Sequence, residues 1–216
     1  MISHQDGRRY SFLLGLFILL FTLEIVPALL EDLGYMEDFA PLYWLPVNFY
    51  FLAIPILYLY ARRLTGDLDW RKDWWHLLLG AVEFVVFSAL FLLEAAAPGP
   101  MLTMDELDIV LDVYLWGSQL FFLVYAVVIL LYLRSYRRRL LAVHSDTSGK
   151  WLKWLSVSVW VMGSFTLISF ALTLDVFWLP FDIYSIVLAS MNALMIYFLT
   201  VWACANSAFP YWAGRR

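Results

Sequence analysis

The chain of 216 residues contains one cysteine, Cys204, so it has neither an intrachain disulfide framework nor a paired-cysteine metal or redox site. Its histidines number three, and His4, His76 and His144 fall in separate segments, which specifies no histidine-based metal centre and no other metal site. Charge is scarce as well. Asp, Glu, Lys and Arg make up 15% of the residues, against about 25% in ordinary soluble domains. The HExxH, GxSxG, Walker and GxGxxG patterns are all missing, and with them the commonest routes to hydrolase, nucleotide or dinucleotide chemistry. No cofactor is called for. A net charge of −4 gives no footprint for direct nucleic-acid binding by this chain. Internal repeats and polar linkers long enough to separate domains are missing too, so residues 1–216 read as a single unit.

What remains is apolar, at 63% of the chain. Six stretches, at roughly 11–30, 42–63, 76–97, 109–133, 151–174 and 183–206, are each long enough to cross a bilayer as helix. None alternates with period two, which excludes a β-barrel. The first is too long for a secretory signal and has no small-residue cleavage site after it. The expected fold class is an all-α integral membrane protein, a bundle of six transmembrane helices.

The charges give this bundle an orientation. All 14 Lys and Arg residues fall in the N-terminal tail, the second and fourth loops, or the C-terminal tail. The first, third and fifth loops carry Glu31, Asp32, Glu37, Asp38, Asp105, Glu106, Asp108 and Asp175 instead. A five- or seven-span arrangement would break that segregation. The positive-inside rule then places both termini in the cytoplasm and the protein in an inner membrane. Trp70, Trp74, Trp75, Trp151 and Trp154 flank the basic loops, while Tyr43, Trp44 and Trp178 mark the acidic side, as headgroup-level aromatic belts do.

Polar residues inside the spans are the candidates for chemistry, because an ionised carboxylate near mid-bilayer costs at least about 2.5 kcal/mol. In the third span His76, Gly80, Glu83, Phe87 and Glu94 share one helical face, and in the fourth Asp112, Trp116 and Gln119 do. Glu83 and Glu24 lie deepest. Asn48, Gln119 and Asn192 are the intramembrane amides able to meet them, which outlines a polar pocket for a ligand or for protons. The alternative is that these groups only hydrogen-bond one another and brace the bundle. Under that alternative Glu83→Gln is expected to be nearly silent.

Other features are less specific. Pro46 and Pro55 should kink the second span. The fifth, rich in Ser and Thr around Gly163, allows close helix approach and a homodimer. Arg137, Arg138 and Arg139, with Lys150 and Lys153, form a basic loop at the inner headgroups, suited to anionic lipid or to a signalling contact with a cytoplasmic partner.

The run Pro55-Ile-Leu-Tyr58-Leu-Tyr60-Ala-Arg-Arg-Leu-Thr-Gly66, followed by a basic stretch and His76-Leu-Leu, resembles the N-terminal multi-span membrane domain of bacterial AraC-type transcriptional regulators. Tyr136-Arg-Arg-Arg-Leu with Trp151-Leu-Lys-Trp154-Leu resembles a second stretch of that domain, and the likeness runs from about residue 12 to 206. Similar domains precede sensor histidine kinases. This chain has Ile54 where those domains carry glycine, and contains no helix-turn-helix or kinase motif, so DNA binding is not carried over. The resemblance implies a sensory input domain acting on a cytoplasmic regulator or kinase, or on an output domain that this sequence lacks. A small transporter or channel subunit with a polar path around Glu83 is the alternative expectation, and a membrane-embedded enzyme the third.

Overall fold

A computed structural model describes residues 4–98, 101–143 and 149–174, together with 190, 193, 194, 197, 200 and 201. The described residues contain helices and no strand. The order is α1 (His4–Leu23), α2 (Ile25–Asp32), α3 (Tyr35–Asp38), a 3-10 turn (Ala40–Trp44), α4 (Tyr50–Leu64), α5 (Trp70–Asp73), a second 3-10 turn (Trp74–Leu77), α6 (Leu78–Ala96), α7 (Met104–Val143) and α8 (Gly149–Leu174).

Among the described residues four segments are long and apolar enough to cross a membrane: Phe12–Glu31, Trp70–Ala96, Met104–Arg139 and Lys153–Ala171. Their outward surfaces suit lipid. On α6 alone, Val82, Phe84, Val85 and Val86 are exposed, a contiguous apolar face that water would not tolerate. The protein belongs in a membrane.

Among the described residues, the shortest of the five principal helices is the best enclosed. α4 has 15 residues, and Ile54, Leu59 and Ala61 on it are fully buried. It packs against α1, α6 and α7, while α8 packs on α7. Because lipid is as apolar as leucine, burial here gains van der Waals contact rather than release from water, and close backbone approach matters most. Gly80 on α6 shows it: a Cβ at that position would lie 2.6 Å from the Leu52 Cβ and 2.7 Å from the Leu52 Cα.

The observed elements differ from the expected spans in three places. The stretch 11–30 is interrupted at Glu24, because Pro27 has no N–H for the Leu23 carbonyl and α1 cannot run through. The stretch 42–63 is helical only from Tyr50; Pro41 sits in the 3-10 turn, and residues 45–49, with Pro46, are not helical. The fourth is far longer than 109–133. Residues 134–143, expected in a loop, continue α7, which reaches 40 residues, about 60 Å. Arginine is a good helix former, and neither Gly nor Pro intervenes to stop the helix. The third and fifth stretches match α6 and α8 closely. Most of 183–206 lies outside the described residues.

Candidate functional site

α4 begins inside the apolar bundle, which creates a problem of unpaired donors. The first four N–H groups of any helix have no partner within it. Two of those in α4 are met locally: the Leu52 and Ala53 amides donate to the Phe49 carbonyl at 3.0 and 2.7 Å. Phe49 at the cap has no side chain able to take the others. Glu83 supplies that acceptor from α6. Its Oε2 receives the Phe51 N–H at 3.2 Å, and its Oε1 receives the Tyr114 hydroxyl of α7 at 2.5 Å. The Tyr50 amide also lies within reach. One carboxylate therefore caps a helix and joins three helices, and the positive end of the α4 dipole favours its negative charge.

The four buried residues of α6 are Gly80, Glu83, Phe87 and Glu94. They lie on the face expected from their spacing, with His76 half-buried below them, its Nδ1 2.8 Å from the Tyr125 hydroxyl. Glu94 receives the Met101 N–H at 3.1 Å near the opposite end of α6.

Glu24 occupies the interruption between α1 and α2. Its carboxyl is enclosed, its Oε1 has no hydrogen-bond partner among the described residues, and it is close enough to Glu83 and Tyr114 to interact with both electrostatically. Two intramembrane carboxyl groups and two tyrosines, Tyr50 and Tyr114, thus come together where α1 gives way to α2 and α4 begins.

The other expected members of the pocket are not assembled there. No hydrogen bond joins Asn48 or Gln119 to Glu83 among the described residues. Gln119 is five residues from Tyr114, about 140° around the helix, and points to α8, where its Nε2 donates to the Ser169 Oγ at 3.3 Å. Asn48 is half-buried in the non-helical lead into α4. Asp112 and Trp116 are exposed, so the face expected to unite them with Gln119 is not the inner one. Asn192 lies outside the described residues. Tyr114 was not singled out from the sequence, since a tyrosine in an apolar span reads as packing or an interfacial anchor.

A second polar assembly, also not foreseen, closes the other end of α4. Gly66, at φ 80°, ends the helix in a Schellman motif: the Asp67 N–H reaches the Arg62 carbonyl at 2.9 Å and the Gly66 N–H reaches that of Arg63 at 3.1 Å. Arg62 is ion-paired to the buried Asp73 and donates to the Asp67 carbonyl at 2.7 Å. Tyr132 of α7 bonds both Thr65 and Asp67, the latter at 2.8 Å. Arg139 adds an ion pair to Asp67 at 3.7 Å. The run ending in Arg-Arg-Leu-Thr-Gly66 is thus the element that moors α4 to the basic end of α7.

Of the residues expected to make an inner basic loop, Arg137, Arg138 and Arg139 are exposed on helical turns of α7, and Lys153 is exposed on α8. The side chain of Lys150 lies outside the described set. Among the described residues no group of three His, Cys, Asp or Glu side chains is placed to hold a metal ion. No protein-family model, curated protein or solved structure matches the chain.

Proposed function

We propose that this chain is a sensory or regulatory membrane domain of a bacterial inner membrane, with six spans and both termini in the cytoplasm. A change of state around Glu83 is passed along α4 to the basic, inward end of α7. The carrying observation is that α4 is tied at both ends to the same long helix. At its start Glu83 links the Phe51 amide to Tyr114, and at its finish Thr65 and Asp67 bond Tyr132. Altering either tie alters how α4 and α7 sit together. Arg137, Arg138 and Arg139, with Lys150 and Lys153, then face an acidic surface of a regulator or kinase, or the anionic headgroups of the bilayer. The segregated basic residues support the orientation.

The test is hydrogen–deuterium exchange on the protein in lipid nanodiscs, comparing wild type with Tyr114→Phe. Residues 65–73 lie a helix length from the change, about 22 Å for the 15 residues of α4. Faster exchange there is the expected result, and unchanged exchange overturns the transmission. Reporters fused after Arg216 or within 140–150 should report cytoplasm, and one within 98–106 the opposite side.

A transporter reading draws on one observation, a helix interruption beside a helix start at intramembrane carboxyl groups, akin to the discontinuous helices of ion-coupled carriers. Reconstituted vesicles separate the two: proton or cation flux that Tyr114→Phe abolishes would favour transport.

A further inference from the structure

We infer that the Glu24–Glu83 pair binds a single exchangeable proton, carried on Glu24. This deepens the sensory reading by naming what the site senses, and rests on that reading for its consequence but not for its existence.

The two carboxyl groups are not equivalent. Glu83 has a donor on each oxygen, the Phe51 N–H and the Tyr114 hydroxyl, and stands at the positive end of α4. These contacts favour the anion, against the cost of holding a charge in an apolar interior. Glu24 has the reverse surroundings: an enclosed Oε1 without a donor among the described residues, and Glu83 as an electrostatic neighbour. Two like charges that act on one another in an apolar interior repel strongly, and one proton held between the two groups relieves that repulsion. Among the described residues the groups facing it are Tyr50 from α4, Tyr114 from α7 and Glu83 from α6, none of them a cation. The nearest basic residues on α4, Arg62 and Arg63, are in its last turn, about 18 Å from Tyr50 along the helix.

A proton fits this site better than a metal ion. Hard cations gather about six oxygen ligands, whereas the pair presents one orphan oxygen and no third carboxylate among the described residues. One proton on Glu24 removes the repulsion outright. When it leaves for bulk water, Glu24 becomes a second anion beside Glu83, and repulsion acts directly on the carboxylate that caps α4. The helix interruption at Glu24, set by Pro27, gives that segment somewhere to move, since no continuous hydrogen-bond ladder crosses it.

Infrared difference spectroscopy across a pH titration, on the full chain in nanodiscs of phosphatidylcholine in potassium buffer, reads the proton directly. The expected result is a protonated-carboxyl C=O band that disappears in one step as pH rises and shifts in deuterium oxide. Glu24→Gln should remove the band while circular dichroism keeps the wild-type helicity. A band that survives Glu24→Gln with its titration intact, or a wild-type protein with no titrating band, overturns the proposal. So does loss of the band on adding sodium at fixed pH, which would make the site a metal-cation site. Should Glu24→Gln fail to fold, the wild-type titration and sodium arms still decide. Exchange at residues 65–73, followed over the same titration, separates the two ideas: a titrating band without a change there leaves the proton site standing and removes the sensory reading.

Discussion

Gly80→Ala is the sharpest perturbation, because it adds one methyl group where the bundle has no room. The new Cβ would meet the Leu52 Cβ at 2.6 Å and the Leu52 Cα at 2.7 Å, part of a helix backbone rather than the end of a flexible side chain. Ordinary carbon contacts begin near 3.4 Å, so α4 and α6 must separate locally by about 0.8 Å. Glu83 is one turn along α6 from Gly80. Its bond to the Phe51 amide, now 3.2 Å, would be carried to about 4 Å, past the range of a hydrogen bond. Overpacking of this kind costs about 1–3 kcal/mol, and the uncapped amide adds about 1 kcal/mol more. The assay is reversible unfolding in mixed detergent, with exchange at the Phe51 amide as a local readout. Gly117→Ala, where a Cβ meets nothing within 4 Å, is the control and should be neutral or slightly stabilising. If the two variants unfold alike and the Phe51 amide stays protected in both, the close α4–α6 approach is wrong.

Other perturbations follow from the same geometry. Gly66→Ala places a side chain at φ 80° and should destabilise by about 1 kcal/mol, read by the same unfolding assay. Asp73→Ala leaves Arg62 without its counter-charge in a largely buried position and should cost about 3 kcal/mol; Asp73→Asn, which keeps an acceptor for the Asp69 amide, should cost less. Glu106→Ala removes the reciprocal capping box with Thr103 at the start of α7, so amide exchange should quicken over the first turn and nowhere else. Replacing Arg137, Arg138 and Arg139 together by Gln should weaken co-purification or activation of a cytoplasmic partner while insertion is retained; unchanged output would leave those arginines only a topological role.

The substitution Glu83→Gln illustrates what the structure adds to the sequence. Read from the sequence, a neutral amide of the same size should serve a bracing role almost silently. In the structure one carboxylate oxygen receives the Phe51 N–H and the other the Tyr114 hydroxyl. An amide can therefore keep its oxygen on the N–H and donate its NH2 to the hydroxyl, which accepts as well as donates. Bracing therefore still predicts a mild effect for Glu83→Gln, at the cost of reversing the Tyr114 hydrogen bond, whereas Tyr114→Phe removes that bond outright.

The inner face of α6 was legible because charge and glycine at helical spacing stand out against an apolar background. Tyr114 and Tyr132 were not, since a tyrosine in such a background is spelled like any anchoring aromatic, and only the partner across the bundle shows that its hydroxyl is used. Pro27 held the signal for the interruption at Glu24, but one proline near the end of an apolar run looks much like a boundary. The arginines at 134–139 were read as loop by charge, although their helix propensity pointed the other way. The start of α4 depends on an acceptor 32 residues downstream in the sequence, and no local pattern contains it.

The two moorings of α7 also restrict how it can move. Tyr114 and Tyr132 are 18 residues apart, about 27 Å along the helix axis, and both are held at opposite ends of the same short neighbour. A piston stroke along the axis would shear both attachments at once. Swivelling about the line joining them strains neither to the same degree. What the two attachments leave to α7 is a swivel about the line through its tyrosine hydroxyls, which turns the arginines near its last turns without advancing them along the axis.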